Sequence, residues 1–532
     1  MKEKLRKLIT EALKSLGIEA GDFVVEHPTD LRNGDYSFHL GGKDHLLHQK
    51  IVVYLNSNKP YYVEEVRGAG GGFVNFYLST EFFKKSIGEV IERENEFGKN
   101  ENLKGEKVMV EHTDPNPFKE FHIGHLMPNV IGSTVANVFA WNGAEVKQAC
   151  YQGDVGIHVA KAVWGLLRGE KEPYPAGAKA YEEADESKKE IQEINKKIYE
   201  HSDEEINKVY DEGKKLSLEY FDSIYKRLGT KFDYFFFESD GGKIGKEIVE
   251  KNKGKIFEES DSAVVFHAEK YDPALHTRVF ISSAGLPTYE AKELGLAKIK
   301  FEKYPYTKSI VVTGNEIKDY FKVLLAAMKL TFPELAEKTK HLPHGMLRLP
   351  TGKMSSRTGD VITAEALIEE VKKKVKGDEA VAIGAIKYMI LRQAIGNDIV
   401  FDIDKSVSTE GDSGVYLQYA YARTNSLLER ADSQGQTLST DSQGLTLRET
   451  HGIEKLLYRF PEVVERAGKE YAPHYIVTYL TELAGSFNNF YAHEQIIGDS
   501  PESPYRLAIT KAFNIVMKNG LDILGIPTPE RM

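Results

Sequence analysis

Apolar residues recur at helical spacing from the first residues of the chain. Leu5, Leu8, Ile9, Leu13 and Leu16 form one stripe, which Gly17 ends. Asn33-Gly-Asp-Tyr36 then has turn chemistry, while Lys50-Ile-Val-Val-Tyr-Leu55 suits a helix or a strand. Gly68 to Val74 is glycine-rich and leads into Val74-Asn-Phe-Tyr-Leu78, whose alternation predicts an edge strand. A helix is expected from Glu81 to about Glu94, and the polar run Gly98 to Gly105 marks a first domain boundary.

From Lys107 the pattern changes. Val108 to His112 reads as a short buried strand, a turn rich in Pro and Asn follows, and Leu126 to Trp141 is a long apolar helix. With a second strand near Val146 to Cys150, this is the repeating unit of a doubly wound parallel α/β sheet. Glu182 to Gly229 carries mixed charge at helical spacing and predicts a solvated helical insertion. Short strands resume at Lys231–Phe237, Ala263–His267, Val279–Ser282 and Ser309–Thr313. Helices dominate from Lys372, broken by a polar stretch, Asp432 to Ser442. Three domains are expected: an α+β unit over residues 1–100, a parallel-sheet unit over 101–372, and an all-α unit over 373–532.

Composition narrows the class. A chain of 532 residues, 41% of them hydrophobic, can bury a large core without staples. No run of eighteen apolar residues occurs and the start lacks a secretory signal, so a cytoplasmic protein without membrane spans is expected. Cys150 is the sole cysteine, which excludes internal disulfides and Cys-x-x-Cys zinc sites. The net charge of −10 argues against nucleic-acid binding taken alone, yet a local basic groove would escape that count.

Two stretches carry chemistry. Glu111-His-Thr-Asp-Pro-Asn116-Pro-Phe-Lys119-Glu-Phe-His122-Ile-Gly124-His125 lies between a predicted strand and helix, where helix N-termini attract phosphate. His122 and His125 would share a face, and Gly124 would let a flat group approach the backbone. Two imidazoles there suit hydrogen bonding to a triphosphate; surface histidines or a partial metal pair are the plainer alternatives. Far downstream, Thr351-Gly-Lys353-Met354-Ser355-Ser356-Arg357-Thr-Gly359 has two cations, hydroxyls and flanking glycines. That suits a loop closing over phosphates, or an ordinary surface loop.

Together, His122-Ile-Gly-His125 and Lys353-Met-Ser-Ser-Arg357 resemble the paired signature of class I aminoacyl-tRNA synthetases. Val110-Glu-His-Thr-Asp-Pro-Asn116, Lys119, Gln152-Gly-Asp154-Val-Gly156, Gly414-Val-Tyr-Leu-Gln-Tyr-Ala-Tyr-Ala-Arg423 and the terminus from Asn519 to Met532 are similar to the arginyl-tRNA synthetase family. At the front, Asn33-Gly-Asp-Tyr36 and Gly71 to Tyr77 are similar to that family's domain that approaches the tRNA elbow. The resemblance implies a class I Rossmann-like catalytic domain followed by a helical anticodon-binding domain. It also implies a two-step reaction: arginine and ATP form arginyl-adenylate, and a ribose hydroxyl of the tRNA terminus, the 2′-OH in class I, then attacks. The partners implied are L-arginine, ATP with Mg²⁺ and tRNA(Arg); neither a structural zinc nor a membrane is expected, and the enzyme is expected to be a monomer.

By the same resemblance, His122, His125 and Lys353 serve the phosphates, with Gly124, Met354, Ser355, Ser356, Arg357 and Asp154 around ATP. Ser356 replaces the second lysine of the class loop; Lys119 would supply the missing charge, with Arg357 as its competitor. Asn116 would hold the α-amino or carboxylate end of arginine, with Glu111 nearby in the arginine site. Carboxylates suit its planar guanidinium, so Tyr289 and Glu293, one helical turn apart, and Glu316 would meet the side chain. Glu293 stands where the family more often has Asp. Tyr416, Tyr419, Tyr421 and Met532 would contact the anticodon, core packing being the alternative for the tyrosines. A cysteinyl synthetase is disfavoured by the single cysteine, and a catalytically silent RNA-binding relative by the intact histidines and Lys353.

Overall fold

The computed structural model describes residues 1–19, 21–41, 45–350, 362–440 and 450–532. At the N-terminus, α1 (Lys2–Ser15) buries Leu5, Ile9, Ala12 and Leu13, the stripe expected from their spacing. It packs beside a four-stranded antiparallel sheet of β1 (Val25–Glu26), β2 (Tyr36–His39), β3 (Val63–Ala69) and β4 (Phe73–Leu78), in the order β1-β2-β4-β3. The ambiguous Lys50–Leu55 run is helical, inside α2 (His45–Ser57). One expectation fails: β4 is an inner strand, because β2 and β3 both pair with it. Its buried Val74, Phe76 and Leu78 face the domain core, and alternation alone does not separate an inner strand with one wet face from an edge. After α3 (Thr80–Arg93) the chain enters the central unit.

There β5 (Lys107–Glu111), β6 (Glu145–Gln152), β7 (Tyr234–Phe237), β11 (Lys308–Gly314) and β12 (Thr339–His344) form a parallel sheet in the order β12-β11-β5-β6-β7. The chain builds outward from β5 through β6 to β7, then returns to add β11 and β12 on the other side. The order therefore reverses between β5 and β11, and the carboxyl ends of these two strands are where a doubly wound sheet receives its ligand. Helices cover both faces. Val108 and Val110 pack with α4 (Ile123–Trp141), whereas Met109 packs with Leu296 of α10 (Tyr289–Lys303).

Of the expected short strands, β9 (Ala263–Phe266) and β10 (Arg278–Ile281) leave this sheet. They pair with β8 (Glu258–Ser260) as a separate antiparallel sheet. The polar stretch after β6 is helical, as α5 (Ile157–Leu167), α6 (Pro173–Glu183), α7 (Asp185–Glu200) and α8 (Glu204–Leu228). It is less solvated than its charge suggested. Ile191, Ile194, Ile198 and Tyr210 pack on Val155, Val159 and Trp164, and Phe221, Ile224 and Tyr225 join the central core.

The C-terminal helices, among them Glu379–Leu391, Gly414–Ser433, His474–His493 and Ser503–Leu524, share that central core with α4. Three side chains receive the last carbonyls of the final helix. Asn137 Nδ2 donates to Ile523 O at 3.1 Å, Thr134 Oγ1 to Leu524 O at 3.3 Å, and Lys387 Nζ to Gly525 O at 2.6 Å. Two of the three lie on α4, so the helix that follows β5 also anchors the end of the chain.

Candidate active site

The loop leaving β5 departs from ordinary backbone geometry: Thr113, Asp114 and Phe118 have φ of 84°, 45° and 67°. Hydrogen bonds hold it there. Asn129 Nδ2 donates to Thr113 Oγ1 at 3.1 Å, and the Tyr151 N–H donates to Asp114 Oδ1 at 2.8 Å. His112 lies so close to α4 that a Cβ on Gly132 would come within 2.3 Å of its ring.

The loop delivers His122 to the N-cap of α4, where its Nδ1 accepts the Gly124 N–H at 3.1 Å. His125 follows one turn later. The two rings stack with centroids 3.8 Å apart and planes 20° apart, and a Cβ on Gly124 would press to 2.8 Å of His122. Burial, reinforced by the Lys119 charge, pushes His122 down to about 4. His125 is held well below the ordinary imidazole value, by burial first and then by His122 and Lys119. Both rings are neutral at pH 7, so each offers one N–H donor. His125 Nδ1 is buried without a partner, as a polar atom is where a ligand completes the site.

Lys119 itself rests 4.7 Å over the Tyr174 ring of α6. Its charge also bears on His158, which burial pushes down to about 4 and whose Nε2 donates to Gly153 O at 2.8 Å. Lys353, Met354, Ser355, Ser356 and Arg357 lie outside the described residues. The chain that follows them returns to the histidines: Ile123 N donates to Ile362 O at 3.2 Å and Ala364 N to Phe121 O at 2.8 Å. His122 and Thr363 form a β-bridge.

Asp154, expected around ATP, is engaged by protein partners. It is fully buried, and its carboxylate accepts from Tyr210, Lys214, the Ser239 hydroxyl and the Ser239 N–H at 2.7–3.0 Å. It ties the loop after β6 to α8 and to the start of α9 (Glu238–Lys251). Asn116 sits against the same loop: a Cβ on Gly153 would lie 2.2 Å from its Oδ1 and 3.2 Å from Glu238 Oε1.

On the opposite face of the sheet carboxyl groups converge. Glu111 falls on the Met109 side of β5, and its carboxylate accepts from Lys300 Nζ of α10 at 2.6 Å; both are buried. Glu238 accepts from Lys292 Nζ at 2.5 Å, also buried. Glu293 makes no ion pair or hydrogen bond among the described residues. Burial, followed by the negative charge of Glu111 and then those of Asp114 and Glu238, raises its carboxyl well above the usual range. Asp114 is raised in the same way, by burial and then Glu111.

The α10 helix that carries Lys292, Glu293 and Lys300 is seated on α9 through glycines. A Cβ on Gly245 would meet Ala291 O at 1.7 Å, and one on Gly295 would meet Gly241 O at 1.9 Å. Tyr289, by contrast, is 59% exposed at the first turn of α10, with Lys292 Nζ 5.1 Å over its ring. Glu316 is exposed in the turn after β11, folded back on Gly314, where its charge bears on His344.

Spacing did not single out Asp114, Tyr151, Glu238, Lys292 or Lys300, which come from the loop after β5, from β6, from α9 and from α10 and meet only in the fold. Among the candidate anticodon residues, Tyr421 is buried in the core and Tyr416 accepts from Asn488 Nδ2 at 2.8 Å. Tyr419 is 39% exposed with Arg423 at 4.7 Å over its ring, and Met532 is 46% exposed.

A parallel sheet with a histidine-capped helix at its switch point is the arrangement expected of a class I aminoacyl-tRNA synthetase. The family model described as "tRNA synthetases class I (R), catalytic domain" matches residues 86–403. The Arginyl tRNA synthetase N terminal domain matches residues 3–78 and the DALR anticodon binding domain residues 417–532. The chain belongs to the arginyl-tRNA synthetase family. It is 30% identical to an arginine–tRNA ligase of Halothermothrix orenii, covering 100% of this chain and 99% of that one. It is 31% identical to one of Streptococcus pneumoniae serotype 4, covering 100% of both. In fold it resembles the Thermus thermophilus arginyl-tRNA synthetase, with a TM-score of 0.79 at 24% identity over 100% of each chain. It also resembles the Plasmodium falciparum enzyme, with a TM-score of 0.78 at 19% identity over 100% of this chain and 99% of that one.

Proposed function

We propose that the chain is an arginine–tRNA ligase. It activates L-arginine with ATP to arginyl-adenylate and transfers the arginyl group to the 2′-OH of the terminal ribose of tRNA(Arg), leaving pyrophosphate and AMP. The observation that carries this reading is a stacked imidazole pair at the start of α4 on one side of the sheet, and on the other the Glu111–Lys300 and Glu238–Lys292 pairs beside Glu293. Those two surfaces are what a triphosphate and a guanidinium respectively require.

In this reading His122 and His125 donate to the phosphates of ATP, and Gly124 leaves room for the nucleotide. Lys353 neutralises the departing pyrophosphate, with Met354, Ser355, Ser356 and Arg357 closing around it. Lys119 takes the place of the lysine that Ser356 lacks. Asp154 acts indirectly, by holding the loop after β6. Asn116 takes the α-amino or carboxylate end of arginine, and Glu111 orders the pocket through Lys300. Glu293 accepts the guanidinium, with Tyr289 and Glu316 at the pocket's margins. Mg²⁺ enters with ATP, bound through its phosphates.

Residues 1–100 approach the tRNA elbow, 101–372 perform the chemistry, and 373–532 supply the stem and the anticodon platform, including Tyr416, Tyr419 and Met532. The enzyme works as a cytoplasmic monomer. Charging total tRNA with arginine, lysine, cysteine or glutamine tests the assignment: arginine alone is expected to be attached. His125→Ala is expected to slow adenylate formation about 10²-fold, with tRNA present, while arginine affinity is kept. Unchanged single-turnover activation would overturn the histidine roles.

A further inference from the structure

We propose that Glu462 is a positioning residue for tRNA: it locks the N-terminal domain onto the anticodon-binding domain, so both meet tRNA as one preformed surface. The inference rests on the reading that these two domains both contact tRNA. Glu462 lies in the first turn of the helix Phe460–Glu470, within the anticodon-binding domain, yet its carboxylate is gripped by side chains from the first 36 residues of the chain. Tyr36 Oη of β2 donates to Glu462 Oε1 at 2.6 Å, and Lys2 Nζ of α1 lies 3.2 Å from Oε2. The His27 ring bridges the seam, with Nε2 2.9 Å from Glu462 Oε2 and Nδ1 2.7 Å from Asp35 O. Burial works to raise the Glu462 carboxyl, but His27, Lys2 and Tyr36 outweigh it and hold it down to about 2. The carboxylate therefore stays charged between two domains.

Tyr458, four residues earlier, makes the same crossing through apolar contact. Its ring is 8% exposed and packs in the N-terminal domain's own core, with centroids 5.2 Å from Phe82, 5.8 Å from Phe83 and 6.1 Å from Tyr36. Beyond α3 the docking recurs: Asn519 Nδ2 of the last helix donates to Glu94 O at 2.9 Å and to Phe97 O at 3.0 Å. A buried carboxylate is costly once a partner leaves, so the charge favours a single seating of the two domains. That matters for a ligand that spans both. Two sites held at a fixed separation spare the ordering cost that loosely tethered domains incur on binding. The partners of Glu462 at the seam include none of the residues assigned to ATP or arginine, so the effect falls on tRNA.

Steady-state charging by the full chain with varied tRNA(Arg) tests this. In Glu462→Ala the tRNA KM is expected to rise about tenfold, while kcat at saturating tRNA and the KM values for arginine and ATP stay within about twofold of the parent's. Tyr36→Phe deletes one oxygen at the seam and keeps the ring, so it reads the same parameter even if Glu462→Ala does not fold. A smaller rise in tRNA KM is expected there. Combining the two substitutions should add nothing to Glu462→Ala alone, because the partner of the hydroxyl is already gone. Unchanged tRNA KM in both variants overturns the proposal, as does a loss confined to kcat, which would mean that the seam only supports the fold. Failure of the parent to charge tRNA(Arg) would take down the reading beneath it as well.

Discussion

The two sides of the site meet the same physical problem and answer it differently. Where α4 begins, burial is the main force on His122 and His125, and it leaves both imidazoles neutral. Along α10, burial is again the main force on Glu293, yet most of the charge there is kept, in the Glu111–Lys300 and Glu238–Lys292 pairs. A neutral imidazole still donates a hydrogen bond to phosphate, so the histidine side functions without counter-charges. A neutral carboxyl binds a guanidinium poorly, so the acid side must retain charge and needs lysines to hold it in a dry place. The two imidazoles of the nucleotide side therefore come from one short segment, whereas the carboxylates of the amino-acid side need a network.

The largest effect should follow from breaking that network. Lys300→Met strands the Glu111 carboxylate in the core and is expected to destabilise the chain by about 3–5 kcal/mol in urea unfolding. Adding Glu111→Gln to the same chain should return most of the loss, because the uncompensated charge is then gone. His122→Ala, which strands no charge, should cost far less stability. Equal losses from Lys300→Met and His122→Ala would abolish the distinction between the two sides.

The same difference decides what could be read from the sequence. His122, Gly124 and His125 are adjacent on one helical turn, and a strand followed by a helix already places them at the carboxyl end of a strand. The order of β5, β6 and α4 followed from apolar runs. The acid side was legible only as Glu111 and Glu293, each alone. Glu111 meets Lys300 because residue 111 shares the Met109 face of β5, and Lys300 lies 189 positions later on a helix seated by glycine contacts. No local pattern encodes such a meeting. β12 was missed for a related reason: Lys340-His-Leu-Pro-His344 is an edge strand with few apolar residues to announce it.

Acid should act on the two sides in opposite directions, an effect next in size. Folded His122 and His158 sit at about 4, below the ordinary 6.5. As pH falls from 6.5 to 4 the unfolded chain takes up these protons first, and stability drops by up to about 1.4 kcal/mol per pH unit for each ring. Asp114 and Glu293 have folded values above their unfolded ones. Their cost is present at high pH and fades as pH falls through those folded values. The chain carrying both Asp114→Asn and Glu293→Gln should therefore be more stable than the parent at pH 8, with the advantage gone by about pH 4. A stability difference that stays constant across that range would contradict this account of the acid side.

The smallest effect concerns Lys119, whose charge bears on both stacked histidines. Lys119 lowers His122, His125 and His158, but burial is the larger cause at each. In Lys119→Ala the His122 imidazole should rise from about 4 and still titrate below 6.5, as chemical-shift titration would read, so the rings remain neutral at pH 7. Loss of pyrophosphate exchange then reflects a missing charge opposite phosphate and not a changed imidazole. A drop of about tenfold, equivalent to about 1.4 kcal/mol of barrier, is expected. It should persist between pH 7 and pH 8 with the arginine KM unchanged. Recovery at pH 8 would mean that Lys119 acts through the histidines, and exchange equal to the parent's would assign the charge to Arg357. A persistent loss at both pH values fits only a lysine that works on the nucleotide itself.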